Sequence, residues 1–481
     1  MIGFASGLHD RDRRQGTIRL ALAALFAVGF FAPAAAQQLT STERAWLDSA
    51  AAAVLQSTGA PSASIAVVRD GAIVYEHAYG DGRIDPKTPA TPAMRYAIGS
   101  VSKQFTATAL LLLAEEGKLS LDDKVATWFP QLTRAGDISV RQLLSMTSGY
   151  QDYWPQDYVF SDMQRPATPQ TIVQRWAGKA LDFDPGTQWQ YSNTNYEIAA
   201  SIVERVAGMP FMDFLRQRIF TPLGMTSVAN IDAGPLTDRD AQPLLRSALG
   251  PLRPAPKEAT GWLFGAGQLA MTAHDLALWD LSVINQSVLQ PASYRTQQTE
   301  MLLADGTAAG YGLGVSIGMT GGRRLVSHGG AVSGYTTTNL IYPDDRAAIV
   351  VFTNIYPGAA GAPGQIASRI ANVLFAPADT AGAAAREQAR RIYDGLTQGT
   401  IDRTLLTPSA NAYFTDEVLA DYAASLAPLG PPTDFAARGE SLRGGMTIRS
   451  YLIRTGDVTM VLTTMTLPDG RLDQYIISRA G

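Results

Sequence analysis

The chain contains no cysteine. Disulfide staples, a thiolate nucleophile, thiolate-held metal and lipid-modified cysteine are therefore excluded, and stability is left to the hydrophobic core. Histidine is scarce as well: His9, His77, His274 and His328 are scattered, none four residues from another, so no metal centre is expected. Only 17% of residues are charged, and the net charge of −4 comes with no run of Lys and Arg beyond a short N-terminal cluster. Nothing there builds an electrostatic footprint for nucleic acid. The expected partner is a small-molecule or peptide substrate, and no residue pattern calls for a cofactor.

Long apolar runs are lacking too, apart from Leu20 to Ala32. Arg11, Arg13, Arg14 and Arg19 precede that run and Pro33-Ala34-Ala35-Ala36 follows it, which reads as a secretory signal over 1–36 with an A-x-A type cleavage site. A spanning helix needs roughly 20 apolar residues. The mature chain is accordingly expected to begin near Gln37, to be secreted, in the periplasm, and to keep no transmembrane segment; the general and twin-arginine routes both stay open.

What the sequence does have is length and core-forming residues. With 481 residues, 46% of them hydrophobic, two or three domains are expected. Thr40 to Leu55 reads as a helix, with Trp46, Ala50 and Val54 at helical spacing. Two strands follow, Ala63 to Val68 and Ala72 to Tyr79, joined by the hairpin signal Asp70-Gly71. Val101 to Glu116 is a strongly apolar helix in which four successive leucines, Leu110 to Leu113, imply burial on most sides. The region 119–270 is mainly helical and loop-rich, after which Leu325 to His328, Thr336 to Ile341 and Ala347 to Thr353 read as strands. Strands at both ends of a helical middle predict an α/β (α+β) fold, one antiparallel sheet completed by distant segments and flanked by helices.

The stretch 376–383, rich in Ala, Pro and Gly, reads as a linker between a domain over 37–375 and a small α+β domain over 384–481. In the latter Ala385, Ala389, Ile392 and Leu396 form a helix face and Thr415 caps a second helix; strands are expected at Met446 to Ile453, Val458 to Leu467 and Leu472 to Ile477. Its polar residues form no recognisable site, and its partner is left unassigned.

Three short strings carry chemistry. Ser100-Val101-Ser102-Lys103 opens the apolar helix, placing an amine one turn from a hydroxyl on the same face. A serine is a weak nucleophile until a neighbouring base takes its proton. Tyr191-Ser192-Asn193 offers a phenol, a candidate base if two cations favour its ionised form, and an amide suited to a substrate carbonyl or to holding Lys103. His328-Gly329-Gly330 ends a strand-like segment; its glycines let a substrate backbone approach, and its imidazole can donate a hydrogen bond or, when protonated, meet a carboxylate.

The order S-x-x-K, Y-x-N, then a [K/H]-[T/G]-G triplet resembles that of class C β-lactamases, DD-peptidases and the related esterases. The flanks Tyr96-Ala97-Ile98-Gly99, Leu143 to Gly149, Pro185-Gly186-Thr187, Gly265 to Leu269 and Tyr311 to Gly314 agree, so that the resemblance spans about residues 42 to 375. It implies a β-lactamase/DD-peptidase-like fold with Ser100 as nucleophile, Lys103 and Tyr191 managing its proton, and Asn193, His328, Gly329 and Gly330 at the substrate. It also implies an oxyanion hole made by the backbone N–H groups of Ser100 and Ala331. Two positions depart from the pattern: His-Gly-Gly replaces the Lys-Thr-Gly of those β-lactamases, and Met146 stands where many relatives have His. An acyl-enzyme hydrolase of esters or D-residue peptides is the leading expectation. β-lactamase or DD-carboxypeptidase activity, and a non-catalytic relative that binds peptidoglycan or a partner, are the alternatives.

Overall fold

The computed structural model describes residues 38–156, 158–375 and 380–480. The export signal expected over 1–36 lies outside the described residues, as does part of the expected linker, 376–379. Among the described residues no helix is long and apolar enough to cross a membrane. The chain divides into two compact units between Ala371 and Asn372.

The first unit is built on a seven-stranded antiparallel sheet. Its strands are β1 (Ser62–Arg69), β2 (Ala72–Ile84), β3 (Lys87–Pro89), β4 (Ser316–Thr320), β5 (Arg323–Val332), β6 (Tyr335–Tyr342) and β7 (Ala347–Thr353), in the order β3-β2-β1-β7-β6-β5-β4. The β1–β2 hairpin turns on Asp70 and Gly71, both at positive φ (53° and 77°), which matches the twist of the strands they join. The sheet closes where β1 meets β7, with Ala63 opposite Thr353 and Val68 opposite Ala348. Every residue of β7, and β1 from Ser62 to Val68, is buried, as a central pair covered on both faces requires.

Helix α1 (Ser41–Thr58) is capped by a reciprocal pair in which the Thr40 hydroxyl accepts from Glu43 N–H and the Glu43 carboxylate accepts from Thr40 N–H. Its buried face is Leu47, Ala51 and Val54; Val54 is buried as expected, while Leu47 and Ala51 take the places expected of Trp46, which is 56% exposed, and Ala50. Helix α2 (Ser102–Glu115) is buried continuously from Ser102 to Leu113, as its apolar run predicts. Around it lie α3 (Asn193–Ala207), which packs on α2, and α4 (Ala273–Asn285), which covers β1 and β7.

A buried polar chain fixes α2 against the sheet. Gln104 Nε2 donates to Asn339 Oδ1 on β6 (2.8 Å), Gln104 Oε1 accepts from Trp279 Nε1 on α4 (3.0 Å), and Asn339 Nδ2 donates to both oxygens of Asp280 (2.9 and 2.8 Å). Burial pushes the Asp280 carboxyl well above its ordinary range while the Asn339 hydrogen bonds pull it down, and each polar side chain along the run finds a partner inside the core.

The second unit has its own core. Helix α5 (Thr380–Leu396) starts inside the stretch read as linker and buries Ala389, Ile392, Tyr393 and Leu396. Helices α6 (Pro408–Tyr413) and α7 (Asp416–Leu426) follow, the second capped by Thr415 as expected. A four-stranded meander, β8 (Asp434–Arg443), β9 (Met446–Thr455), β10 (Val458–Thr466) and β11 (Leu472–Arg479), completes it. Strand β8 escapes the sequence reading because most of it is exposed and shows no apolar alternation.

Replacing Gln104 by Leu leaves Trp279 Nε1 and Asn339 Oδ1 buried without partners. Each such group costs about 1–3 kcal/mol, so Gln104→Leu is expected to lower unfolding free energy by about 2–5 kcal/mol in urea titration. A loss within error would show that the chain is replaceable by packing.

Candidate active site

The segment 96–103 changes conformation three times within eight residues. Tyr96–Ala97 pairs with the strand Leu269–Met271, Gly99–Val101 forms a 3-10 turn, and α2 begins at Ser102. Ser100 therefore sits on the turn that feeds the helix. Its neighbours on α2 are buried, while Ser100 itself keeps partial exposure.

Lys103 is 0% exposed, and its Nζ meets three acceptors: Ser100 Oγ (3.0 Å), Asn193 Oδ1 (2.8 Å) and the Ala266 carbonyl (2.8 Å). Burial lowers its pKa to about 7, against the pull of Asp152 and Glu197, which favour the charged form. Two of the three acceptors have only lone pairs to offer. A neutral Lys103 must spend its two N–H groups on Asn193 and Ala266, and its own lone pair is then left facing Ser100 Oγ. Geometry and lowered basicity together turn the amine into a base aimed at the hydroxyl.

Asn193 opens α3, and Asp152 decides which way its amide points. The Asp152 carboxylate accepts from Asn193 N–H (2.9 Å) and from Asn193 Nδ2 (3.2 and 3.3 Å), which turns Oδ1 toward Lys103. Both ends of the Asn193 side chain are thus engaged by protein. Glu197, one turn along α3, is pushed well above the ordinary carboxylate range by burial, with Lys103 pulling it back down.

The Tyr191 ring lies 4.9 Å from Lys103 Nζ. Burial raises its phenol pKa, with Ser100 pulling it down and the negative Asp152 pushing it further up. Among the described residues no side-chain cation besides Lys103 is placed against the Tyr191 ring, so the structure does not favour the tyrosinate held by two cations that the sequence left open. Tyr191 is a phenol able to pass a proton on, and Lys103 is the better base. Met146, the position left without an account above, is 0% exposed, and its thioether accepts from Ser192 N–H (3.4 Å) and Asn195 Nδ2 (3.7 Å). It is a weak acceptor placed under the Tyr191 to Asn195 segment.

His328 does not supply a second cation. It is 6% exposed and inside β5, which runs on to Val332 instead of ending at the histidine. Burial and the nearby Lys103 lower its pKa to about 4, though the Gly329 carbonyl opposes them. Its Nδ1 lies 2.5 Å from the Gly329 carbonyl and therefore carries the proton; Nε2, 2.9 Å from Tyr311 Oη, accepts from that phenol. Both ring nitrogens are occupied, and no charge faces the cleft from this position.

Strand β5 lies directly against the Ser100 turn. A Cβ on Gly330 would stand 1.9 Å from the Ile98 carbonyl oxygen, and one on Gly99, at φ +51°, would stand 2.7 Å from Ala331 N. Only glycines allow this approach. Ala331 pairs with Thr336 one step before the closing pair Val332–Tyr335 of a two-residue turn. Hydrogen bonding alternates along an antiparallel ladder, so the Ala331 N–H points away from β6. Strand β4 ends on that side at Ser316, opposite Ser327, and leaves the N–H open toward Ser100.

These elements border a cleft of about 690 Å³, lined among others by Ser100, Asp152, Tyr191, Asn193, His328, Gly330 and Ala331. The sequence reading found Ser100, Lys103, Tyr191, Asn193, His328, Gly329, Gly330 and Ala331, and the structure brings all of them together here. It missed Asp152, which no local pattern marks, and the acceptor role of Ala266. It also passed over Gly314-Val315-Ser316-Ile317-Gly318, a G-x-S-x-G string that leads into the edge strand β4 and is followed by strand, not helix, so it is no nucleophile elbow.

Comparison with known proteins places the family described as Beta-lactamase over residues 47–371. A D-aminopeptidase of Brucella anthropi is 31% identical over 324 residues, 66% of this chain and 60% of that protein. The chain thus spans less than two thirds of that relative's length. Among solved structures, the D-amino acid amidase of Ochrobactrum anthropi SV3, complexed with D-phenylalanine, aligns at TM-score 0.60 and 24% identity over 68% of this chain and 98% of its own. The octameric penicillin-binding protein homologue of Pyrococcus abyssi aligns at TM-score 0.62 and 22% identity over 92% of this chain and 97% of its own. At these identities the structural likeness speaks for the fold.

Two outcomes are expected of this geometry. A base with a pKa of about 7 is protonated below that pH and free above it, so the acylation rate should climb through about pH 7 and level off above. His328, titrating at about 4, should add no inflection above about pH 5. Stopped-flow labelling by a fluorophosphonate between about pH 5 and about pH 9 measures both, and a flat profile would remove Lys103 as the base. Gly330→Ala should push β5 off the Ser100 turn and lower kcat by about 100-fold or more, the scale of losing one oxyanion donor, with circular dichroism unchanged.

Proposed function

Because the chain belongs to the β-lactamase family over residues 47–371, we propose that it is a serine hydrolase that forms an acyl-Ser100 intermediate on amides, D-residue peptides or esters. The observation that carries this reading is the Lys103 amine, 3.0 Å from Ser100 Oγ with its other two positions taken by fixed acceptors.

In the proposed cycle Ser100 Oγ bonds to the substrate carbonyl carbon as its proton moves to the Lys103 lone pair. The carbonyl π electrons go to oxygen, where the N–H groups of Ser100 and Ala331 receive the charge. Collapse of this intermediate breaks the bond to the leaving amine or alcohol, which takes a proton from the Tyr191 phenol while Lys103 returns one to Tyr191. A water then attacks the acyl carbonyl with the same groups in the same roles, and the free acid leaves with Ser100 restored. No step needs a metal or cofactor. Hydrolysis of β-lactams is the second reading within the family, and the neutral His328 counts against it, since those substrates carry a carboxylate that a fixed cation would hold. Export remains part of the proposal on the strength of the N-terminal leader alone, and N-terminal sequencing of the mature protein decides it.

Ser100→Ala is expected to abolish both turnover of nitrophenyl butyrate and fluorophosphonate labelling; labelling at another serine would overturn the assignment. Lys103→Ala and Tyr191→Phe should each lower kcat by about 100-fold or more. Their double variant should lose far less than the product, as groups in one proton path do. Strict multiplication of the two losses would show separate roles.

A further inference from the structure

The charge of the cleft narrows the substrate class; this inference rests on the hydrolase reading above. Among the described residues that line it, Asp152 is the one acidic side chain, and none is Lys or Arg. Lys103 lies beneath Ser100, outside that lining, and His328 has both nitrogens engaged. Burial raises the Asp152 carboxyl from its ordinary value, while hydrogen bonds from Trp154 and Asn193 and the charge of Lys103 hold it down; a substrate entering the cleft meets this acidic group and no fixed positive one.

Asp152 is also open to a further partner. Its Oδ1 accepts from Asn193 N–H (2.9 Å), Asn193 Nδ2 (3.2 Å) and Trp154 N–H (3.1 Å), while among the described residues Oδ2 has a single long contact, to Asn193 Nδ2 at 3.3 Å. An ionised carboxylate oxygen offers about two acceptor sites, and the residue is half-buried with access from the cleft. It is linked to Ser100 by way of Asn193 and Lys103 and lines the same cleft, so a cation on Oδ2 occupies the space that the carbonyl under attack must enter.

We propose that Asp152 is a specificity-determining residue that receives a free ammonium group on the acyl side of the substrate, next to the scissile carbonyl. The enzyme then removes or deacylates units with a free amino terminus and turns away substrates whose acyl part bears a carboxylate. A charge-assisted hydrogen bond of this kind in a partly desolvated site is worth more than a neutral one, enough for about tenfold or more in kcat/KM.

The test uses the full chain and three p-nitroanilides that share a leaving group: D-alanine (ammonium), propionic acid (the same acyl carbons without the amine) and succinic acid (carboxylate). The expected order of kcat/KM is D-alanyl over propionyl over succinyl, with about tenfold or more at the first step. Propionyl equal to or better than D-alanyl, or succinyl the best of the three, overturns the proposal. Asp152→Asn should bring the D-alanyl to propionyl ratio near one, mainly through KM, and Asp152→Glu should restore part of it; a ratio unchanged in Asp152→Asn overturns the assignment to this residue. If Asp152→Asn does not fold, the wild-type series decides. Nitrophenyl butyrate turnover and fluorophosphonate labelling of Ser100, run alongside, separate the two levels. If both occur without a D-alanyl preference, or without any anilide turnover, the hydrolase reading stands and this proposal falls; if neither occurs, the hydrolase reading itself fails.

Discussion

An amine taken out of water must find acceptors for its protons or give one of them up. Lys103 does both, and the rest of the active site is arranged around that fact. Its acceptors come from α3 and from the segment after residue 263, so the helix that carries Lys103 is tied to two distant parts of the chain by one nitrogen. Asp152 sets the Asn193 amide, and Asn193 sets the amine. The hydrogen-bonded chain from Gln104 to Asp280 holds the same helix from its other side. Each layer leaves the next with one orientation.

The same desolvation that lowers Lys103 raises Tyr191 and silences His328. In the proposed cycle, three groups that look interchangeable as acid–base candidates in the sequence serve as a base, a proton carrier and a neutral spacer. The separation comes from burial first and from mutual charge second. It follows that the strand facing Ser100 works through backbone, and that the sign of the cleft is set by a residue outside the three motifs.

Much of this was legible in the sequence because it is local. Ser100 and Lys103 are one turn apart, Tyr191 and Asn193 adjoin a helix start, and the glycines of β5 announce a close approach before any partner is known. The apolar run of α2 and the alternation of β1, β6 and β7 likewise declare themselves. What was illegible depends on contacts across the chain. Asp152 follows a turn and matches no pattern, and the Ala266 carbonyl is invisible as an acceptor until α2 is beside it. The protonation state of His328 needed Tyr311, seventeen residues earlier. Strand β8 and part of the buried face of α1 were missed for a different reason: exposed strands lack alternation, and Trp46 drew the start of the stripe one position off.

The pairing of β1 with β7 has a consequence in time. Ala63 finds its neighbour at Thr353, and the site draws residues from 100 to 331 between those two strands. Contacts so far apart in sequence make closure slow and late. A ribosome that has released only the first half of this chain has produced the Ser-x-x-Lys string without the carbonyls that hold its amine or the strand that completes its oxyanion site. On the proposed hydrolase reading, the Ser100 hydroxyl lacks both its base and its oxyanion donors until these distant strands have docked.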